Sequence, residues 1–123
     1  KIAENEYSFA VYDKYPVTEG HTLVVPKQEI ADLFELSQEE YVACFKLVKQ
    51  VRKILIDVYQ PQGFNIGINS GSVAGAGIEE HLHVHVVPRW NGDTNFMPVV
   101  GQTKVLPEAL ADVAAKLRAA LTE

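Results

Sequence analysis

The stretch "EEHLHVHVVPRW", residues 79–90, decides how this chain is read. It holds three of the four histidines of the sequence, His81, His83 and His85, at every second position. A β-strand alternates its side chains between faces. A strand here would send those three rings one way and Leu82, Val84 and Val86 the other. The expected product is a cluster of imidazoles on one sheet face, anchored from behind by apolar side chains. A solvated strand face ordinarily draws Thr, Lys, Glu or Ser, so three histidines in register point towards chemistry.

Three chemical readings compete at this point. Neutral imidazole is the commonest metal ligand, and alternate residues of a strand can share one ion. No cysteine or carboxylate completes an obvious ligand pattern nearby, apart from Glu79 and Glu80. A neutral imidazole nitrogen can also attack phosphorus and form a covalent phosphoramidate, which splits one hard displacement into two easier ones. That reading needs the other ring nitrogen to keep its proton and be held. Flanking imidazoles would then donate hydrogen bonds to phosphate oxygens or to the leaving group. The third reading is a binding cleft without turnover. Upstream, "SGSVAGAG" (70–77) supplies glycines whose main-chain N–H groups can approach an anion closely, Gly75 and Gly77 among them. This favours phosphate as the ligand.

Working outward, "YSFAVYDKYPVTEGHTLVVPK" (7–27) reads as two strands, Phe9 to Tyr12 and His21 to Val25, joined by a turn at Thr18-Glu19-Gly20 and closed by Pro26. Ser37 followed by Glu40 is a capping box. It opens a helix expected to run to about Val58, with Val42, Phe45, Val48, Val51, Leu55 and Val58 as its apolar face. Cys44 inside it reads as a small core or boundary residue. "FNIGIN" (64–69) alternates Phe64, Ile66 and Ile68 against Asn65, Gly67 and Asn69, and reads as a strand. The histidine strand follows, ended by Pro88. A last helix opens at Pro107 with Leu110, Val113, Leu117 and Leu121 on one face. Strands, helix, strands, helix reads as α+β with an antiparallel sheet.

The bulk numbers agree. The chain has 123 residues, 47% of them hydrophobic and 22% charged, which fits one globular domain spanning 1–123. The formal net charge is -5 without a dense Lys/Arg cluster, so no nucleic-acid partner is expected. No apolar run approaches the roughly 20 residues of a membrane helix, so no membrane partner is expected either. The single cysteine excludes an intrachain disulfide and fits a cytoplasmic setting. Because the sequence starts at Lys1 without a methionine, a short leader is left open.

"HLHVHVV" resembles the His-φ-His-φ-His-φ-φ signature of the histidine triad (HIT) superfamily of nucleotide hydrolases and transferases. "PVTEGHTLVVPK" is similar to the family's strand pair with an upstream histidine, and "GFNIGINSG" to the strand ending in its asparagine. "HVVPRWNGDTNFMPVVG" resembles a bacterial branch acting on diadenosine polyphosphates, as hydrolase or phosphorylase. The resemblance implies the HIT fold, a five-stranded, mainly antiparallel sheet with a long helix and a C-terminal helix, and a homodimer whose sheets join. It implies a small-molecule nucleotide substrate attacked at the α-phosphate by His83. His85 would contact the phosphate and assist the leaving group, and His81 with His21 would orient the cluster. Asn69 would contact the nucleotide near the phosphate and Asp13 would hold the ribose hydroxyls, although a carboxylate in a surface turn is common in its own right. Gly77 and Ile78 stand where many members carry Gln, Ser or Thr, so main-chain donors would act there. No cofactor is required for this chemistry. Glu29 stands where relatives often have histidine, which weighs against structural zinc, and no metal ligand set is assigned. A nucleoside phosphoramidate hydrolase is the alternative activity. A non-catalytic nucleotide-binding protein or a histidine metal site are the alternatives of another class. Arg89 could clamp a distal phosphate or form a surface ion pair, and Trp90 is expected to pack rather than stack on a base.

Overall fold

The computed structural model describes residues 1–70, 81–93 and 109–121. Five strands form one sheet: β1 (Ala3–Glu4), β2 (Ser8–Tyr12), β3 (Thr22–Pro26), β4 (Gly63–Gly67) and β5 (Val84–Arg89). Their order across the sheet is β1-β2-β3-β5-β4, and every neighbouring pair is antiparallel. Helix α1 (Gln38–Tyr59) packs against the sheet, and α2 (Leu110–Leu121) lies near the C-terminal end of the chain. This is the α+β architecture expected from the sequence, and its sheet is antiparallel throughout.

The start of α1 follows from local chemistry. The Ser37 side chain accepts from the Glu40 N–H, and the Glu40 carboxylate accepts from the Ser37 N–H at 2.9 Å. Two otherwise orphaned donors of the first turn are satisfied reciprocally. The helix ends at Gln60, which adopts a left-handed conformation (φ 50°), and Pro61 follows at once.

The buried face of α1 is rotated from the one expected. Cys44, Leu47, Val48, Val51 and Leu55 form the core with Ala10, Val24, Val84 and Val86. Val42, Phe45 and Val58 are exposed, at 47%, 40% and 64%. The helix carries apolar residues around more than half its circumference, so a period of 3.6 does not by itself choose which stripe meets the sheet. The Cys44 thiol is fully buried and burial pushes its pKa up, which makes it a packing group.

On β5 the alternation is clean behind the sheet. Val84 and Val86 sit in the main core, and Leu82 joins a second cluster with Ile30 and Leu36. The strand runs through Pro88 to Arg89 rather than ending at the proline. The Pro88 carbonyl faces the β2–β3 turn and accepts from the Thr18 hydroxyl at 2.7 Å. No ladder donor is missed there, so proline is tolerated. In the C-terminal helix, Leu110, Leu117 and Leu121 are 86%, 60% and 83% exposed, so the expected apolar face is not covered by any of the described residues. Its expected start at Pro107 lies outside them.

Leu47→Ala is expected to lower stability by about 2–5 kcal/mol, because it removes fully buried volume from the helix–sheet contact. Val58→Ala is expected to stay within about 0.5 kcal/mol. Urea unfolding of both variants checks which stripe faces the sheet.

Candidate active site

The register brings the histidines together. His21 immediately precedes β3, and Leu23 pairs with His85 across the β3–β5 ladder. Gly67 of β4 pairs with His85 on the other side. Asn69 lies two residues beyond the end of β4, and His83 immediately precedes β5. Asp13 immediately follows β2, and its N–H donates to the His21 carbonyl at 2.9 Å.

Four imidazoles take up distinct positions. His21 Nε2 and His85 Nδ1 lie 2.9 Å apart, and both rings are buried. The His83 ring meets the His85 ring edge-on with centroids 4.9 Å apart. His83 Nδ1 lies 2.8 Å from the His81 carbonyl oxygen. A carbonyl can only accept, so His83 Nδ1 carries a proton and its Nε2 carries the lone pair. The His81 ring turns away and donates from Nε2 to the Gln28 carbonyl at 2.9 Å. His81 thus meets the triad's central ring with its main chain, not with its imidazole.

Asp13 sits at the rim. Its Oδ1 accepts from the Tyr15 N–H at 2.9 Å, and its Oδ2 lies 3.5 Å from His21 Nε2. A cavity of about 450 Å³ reaches Asp13 and His21 and runs beneath them to Val51, Leu55 and Tyr59 of α1. Arg89 is held by a two-pronged ion pair to Asp93, at 2.8 and 2.9 Å, and also donates to Asn65. That makes it a clasp between β5 and the turn that follows, the ion-pair reading of the two weighed for it. Gly75 and Gly77 lie outside the described residues. The sequence offered no signal for the part played by the Val17 N–H, which donates to His21 Nδ1 at 3.0 Å, because a main-chain group has no residue type.

Asp13, His21 and His85 place one ligand-type atom each within 4.8 Å of one another. The two imidazole nitrogens among them are already in hydrogen-bond contact. A cation there would have to displace the shared proton and part the rings, so the set fits a hydrogen-bonded relay better than a metal centre.

Electrostatics keep the pair neutral. Burial lowers the His85 pKa to about 4, with His83 and His21 acting in the same direction and Asp13 opposing. Burial also lowers the His21 pKa, with Asp13 opposing it. Between the ordinary value of 6.5 and about 4, the unfolded chain binds a proton at residue 85 that the native chain does not. The contribution of His85 to stability is therefore fully present above pH 6.5 and is lost as the pH drops through this window, by about 1 kcal/mol per pH unit. Denaturant unfolding at a series of pH values checks this slope, and His85→Asn is expected to flatten it.

The family model for the HIT domain matches residues 1–92. An AP-4-A phosphorylase of Mycobacterium tuberculosis is 40% identical over 111 residues, covering 90% of this chain, and the match spans 57% of that relative's length. An adenosine 5'-monophosphoramidase of Schizosaccharomyces pombe is 36% identical over 91 residues, covering 74% of this chain and 65% of the relative. The crystal structure of a HIT family member from Bacillus subtilis superposes with a TM-score of 0.76 at 26% identity, covering 98% of this chain and 83% of the other. The match to the family model over most of the chain and the level of these identities show that this chain belongs to the HIT family.

Proposed function

We propose that the chain is a nucleotidyl hydrolase or transferase acting at the α-phosphate of adenosine nucleotides, diadenosine polyphosphates foremost, through a covalent adenylyl-histidine at His83. The observation that carries this reading is the His83 Nδ1–H bonded to the His81 carbonyl, which puts the nucleophilic lone pair on Nε2. In the first step Nε2 attacks the α-phosphorus, the N–P bond forms, and the bond to the leaving polyphosphate breaks. In the second step water or orthophosphate attacks the same phosphorus and returns the electron pair to Nε2. His85 faces the phosphoryl group, His21 holds His85, and His81 holds His83. Asn69 contacts the nucleotide beside the phosphate, Asp13 binds the ribose hydroxyls, and the Gly75 and Gly77 amides receive phosphate oxygens. Metal takes no part in these steps.

The name of the M. tuberculosis relative supports the polyphosphate substrate. That of the S. pombe relative supports a second reading, a phosphoramidate hydrolase using the same intermediate. No helix among the described residues is long and apolar enough to cross a membrane. A cytoplasmic enzyme is proposed from the lone buried cysteine, and one domain over 1–123 from the single sheet.

We also propose a homodimer joined at β4. Among the described residues the two open edges of the sheet are β1, with two residues, and β4, with five, and β4 carries Ile66 at 43% exposure. An unpaired edge with an exposed apolar side chain is a surface that a second copy can extend.

With diadenosine tetraphosphate as substrate, His83→Ala is expected to lower turnover by at least about 10³-fold while nucleotide affinity changes little. Mass spectrometry of the wild-type chain at neutral pH should find the adenylyl group on a peptide carrying His83. A label on another residue, or unchanged turnover in the variant, sinks the nucleophile assignment. Ile66→Lys is expected to convert a dimer to a monomer in analytical ultracentrifugation.

A further inference from the structure

Residues 18–21 form a tight turn that ends on a histidine of the site. The Thr18 carbonyl accepts from the His21 N–H at 3.2 Å, and Gly20, the third residue of the turn, has φ +88°, as a type II turn requires. Just before the turn, the Val17 N–H donates to His21 Nδ1 at 3.0 Å. That nitrogen therefore offers a lone pair, and a neutral His21 carries its proton on Nε2. Two acceptors face that proton, His85 Nδ1 at 2.9 Å and Asp13 Oδ2 at 3.5 Å. With its Nδ1 accepting, His85 carries its own proton on Nε2, which is buried and has no hydrogen-bond partner among the described residues. A ligand that enters the site meets a donor there.

The turn is held in place by a more distant contact. The printed pairing of β3 with β5 runs from Val24 opposite Val84 to Thr22 opposite Val86, so it stops short of Pro88. Beyond it the Thr18 hydroxyl takes over, donating to the Pro88 carbonyl at 2.7 Å. Pro88 is fully buried, and the Thr18 bond ties the turn that carries His21 to the strand that carries His85.

We infer that Thr18 is a positioning residue of the site: its hydroxyl, anchored on the Pro88 carbonyl, holds the turn so that the Val17 N–H keeps the His21 proton on Nε2 and, through it, the His85 proton on Nε2. The kinetic consequence rests on the adenylyl-His83 reading, and the tautomer consequence does not. Without the hydroxyl, the turn loses its bond to β5 and the Val17 N–H is no longer held against Nδ1. His21 is then free to carry its proton on Nδ1. Its bare Nε2 can accept only from His85 Nδ1–H, which reverses the bond and leaves a lone pair on His85 Nε2. A phosphoryl oxygen would then face a lone pair in place of an N–H. Asp13 favours the original form, but from the rim, where the ribose is proposed to bind.

Thr18→Val keeps the shape of the side chain and removes the hydroxyl. ¹⁵N NMR at neutral pH is expected to show His21 in the Nε2–H form in the wild-type chain, and a mixture with the Nδ1–H form in Thr18→Val. Single-turnover adenylylation by diadenosine tetraphosphate is expected to slow by at least about tenfold in Thr18→Val and to recover in Thr18→Ser, which restores the hydroxyl. In a His21→Ala background, adding Thr18→Val should change the rate by less than about twofold, because the residue it acts through is gone. A purely structural loss would leave the tautomer unchanged and add its full cost in that background, and either result overturns the inference. A Thr18→Val chain that matches wild type, or a Thr18→Ser chain as slow as Thr18→Val, overturns it as well. Should Thr18→Val fail to fold, the wild-type chain still decides. A scalar coupling across the hydrogen bond from the Val17 amide to His21 Nδ1 is expected, and Nδ1–H on His21 would sink the proposal. A chain that forms no adenylyl-His83 from any donor refutes the proposed function instead, and the tautomers then judge Thr18 alone.

Discussion

Everything at the candidate site depends on the two-residue period of β5. One face of the strand commits Val84 and Val86 to the core beneath α1, and Leu82 anchors the approach to it. The other face is then fixed in register against β3 and β4, because a slip of one residue would drive imidazoles into the core. The main energetic load is hydrophobic burial, roughly 1.5–3 kcal/mol for each fully buried aliphatic side chain. The chemistry inherits its geometry from that packing at little extra cost. His85 and His21 are buried as neutral rings bonded to each other, which avoids the desolvation penalty of a buried charge.

The orientation of these rings comes largely from main-chain groups. His83 is held by the His81 carbonyl, His81 by the Gln28 carbonyl, and His21 by the Val17 N–H. Those carbonyls and amides lie in the segments that lead into and out of β3 and towards β5, so the tautomers are properties of the fold more than of neighbouring side chains. A lysine or glutamate in the same positions could change partners as the pH changed. A carbonyl cannot, since it accepts and never donates.

The sequence made the strand with its alternating faces, the capping box and the α+β order legible, because each rests on local rules of spacing and side-chain chemistry. It also singled out His21, His83 and His85, which the register brings into ring contact. It misjudged the buried stripe of α1. Cys44 and Leu47 face the sheet where Val42 and Phe45 were expected, and only the sheet's position decides between two apolar stripes. Nor could it show that the His81 ring turns to Gln28, a partner 53 residues away. The Arg89 clasp to Asp93 depends on the positive φ of Gly92, which folds the chain back and which residue types alone did not place. The share of the site carried by main-chain donors was invisible for a general reason, namely that every residue but proline has an N–H.

The β2–β3 turn shows how tightly such a site binds remote parts of the chain together. Gly20 adopts φ +88°, and a Cβ there would come within 2.9 Å of the Tyr59 ring and 3.2 Å of Pro88. Glycine is required on both counts, conformation and space. Tyr59 closes α1, Pro88 belongs to β5, and Thr18 in the same turn bonds to the Pro88 carbonyl. The turn is thus wedged between the end of the long helix and the end of the histidine strand. Its Val17 N–H reaches His21 only while that wedge holds. Helix end, turn and strand therefore set the proton positions on His21 and His85 jointly. Packing changes at Tyr59 or Gly20 act on the chemistry through the turn, although neither residue takes part in the hydrogen bonds among the histidines.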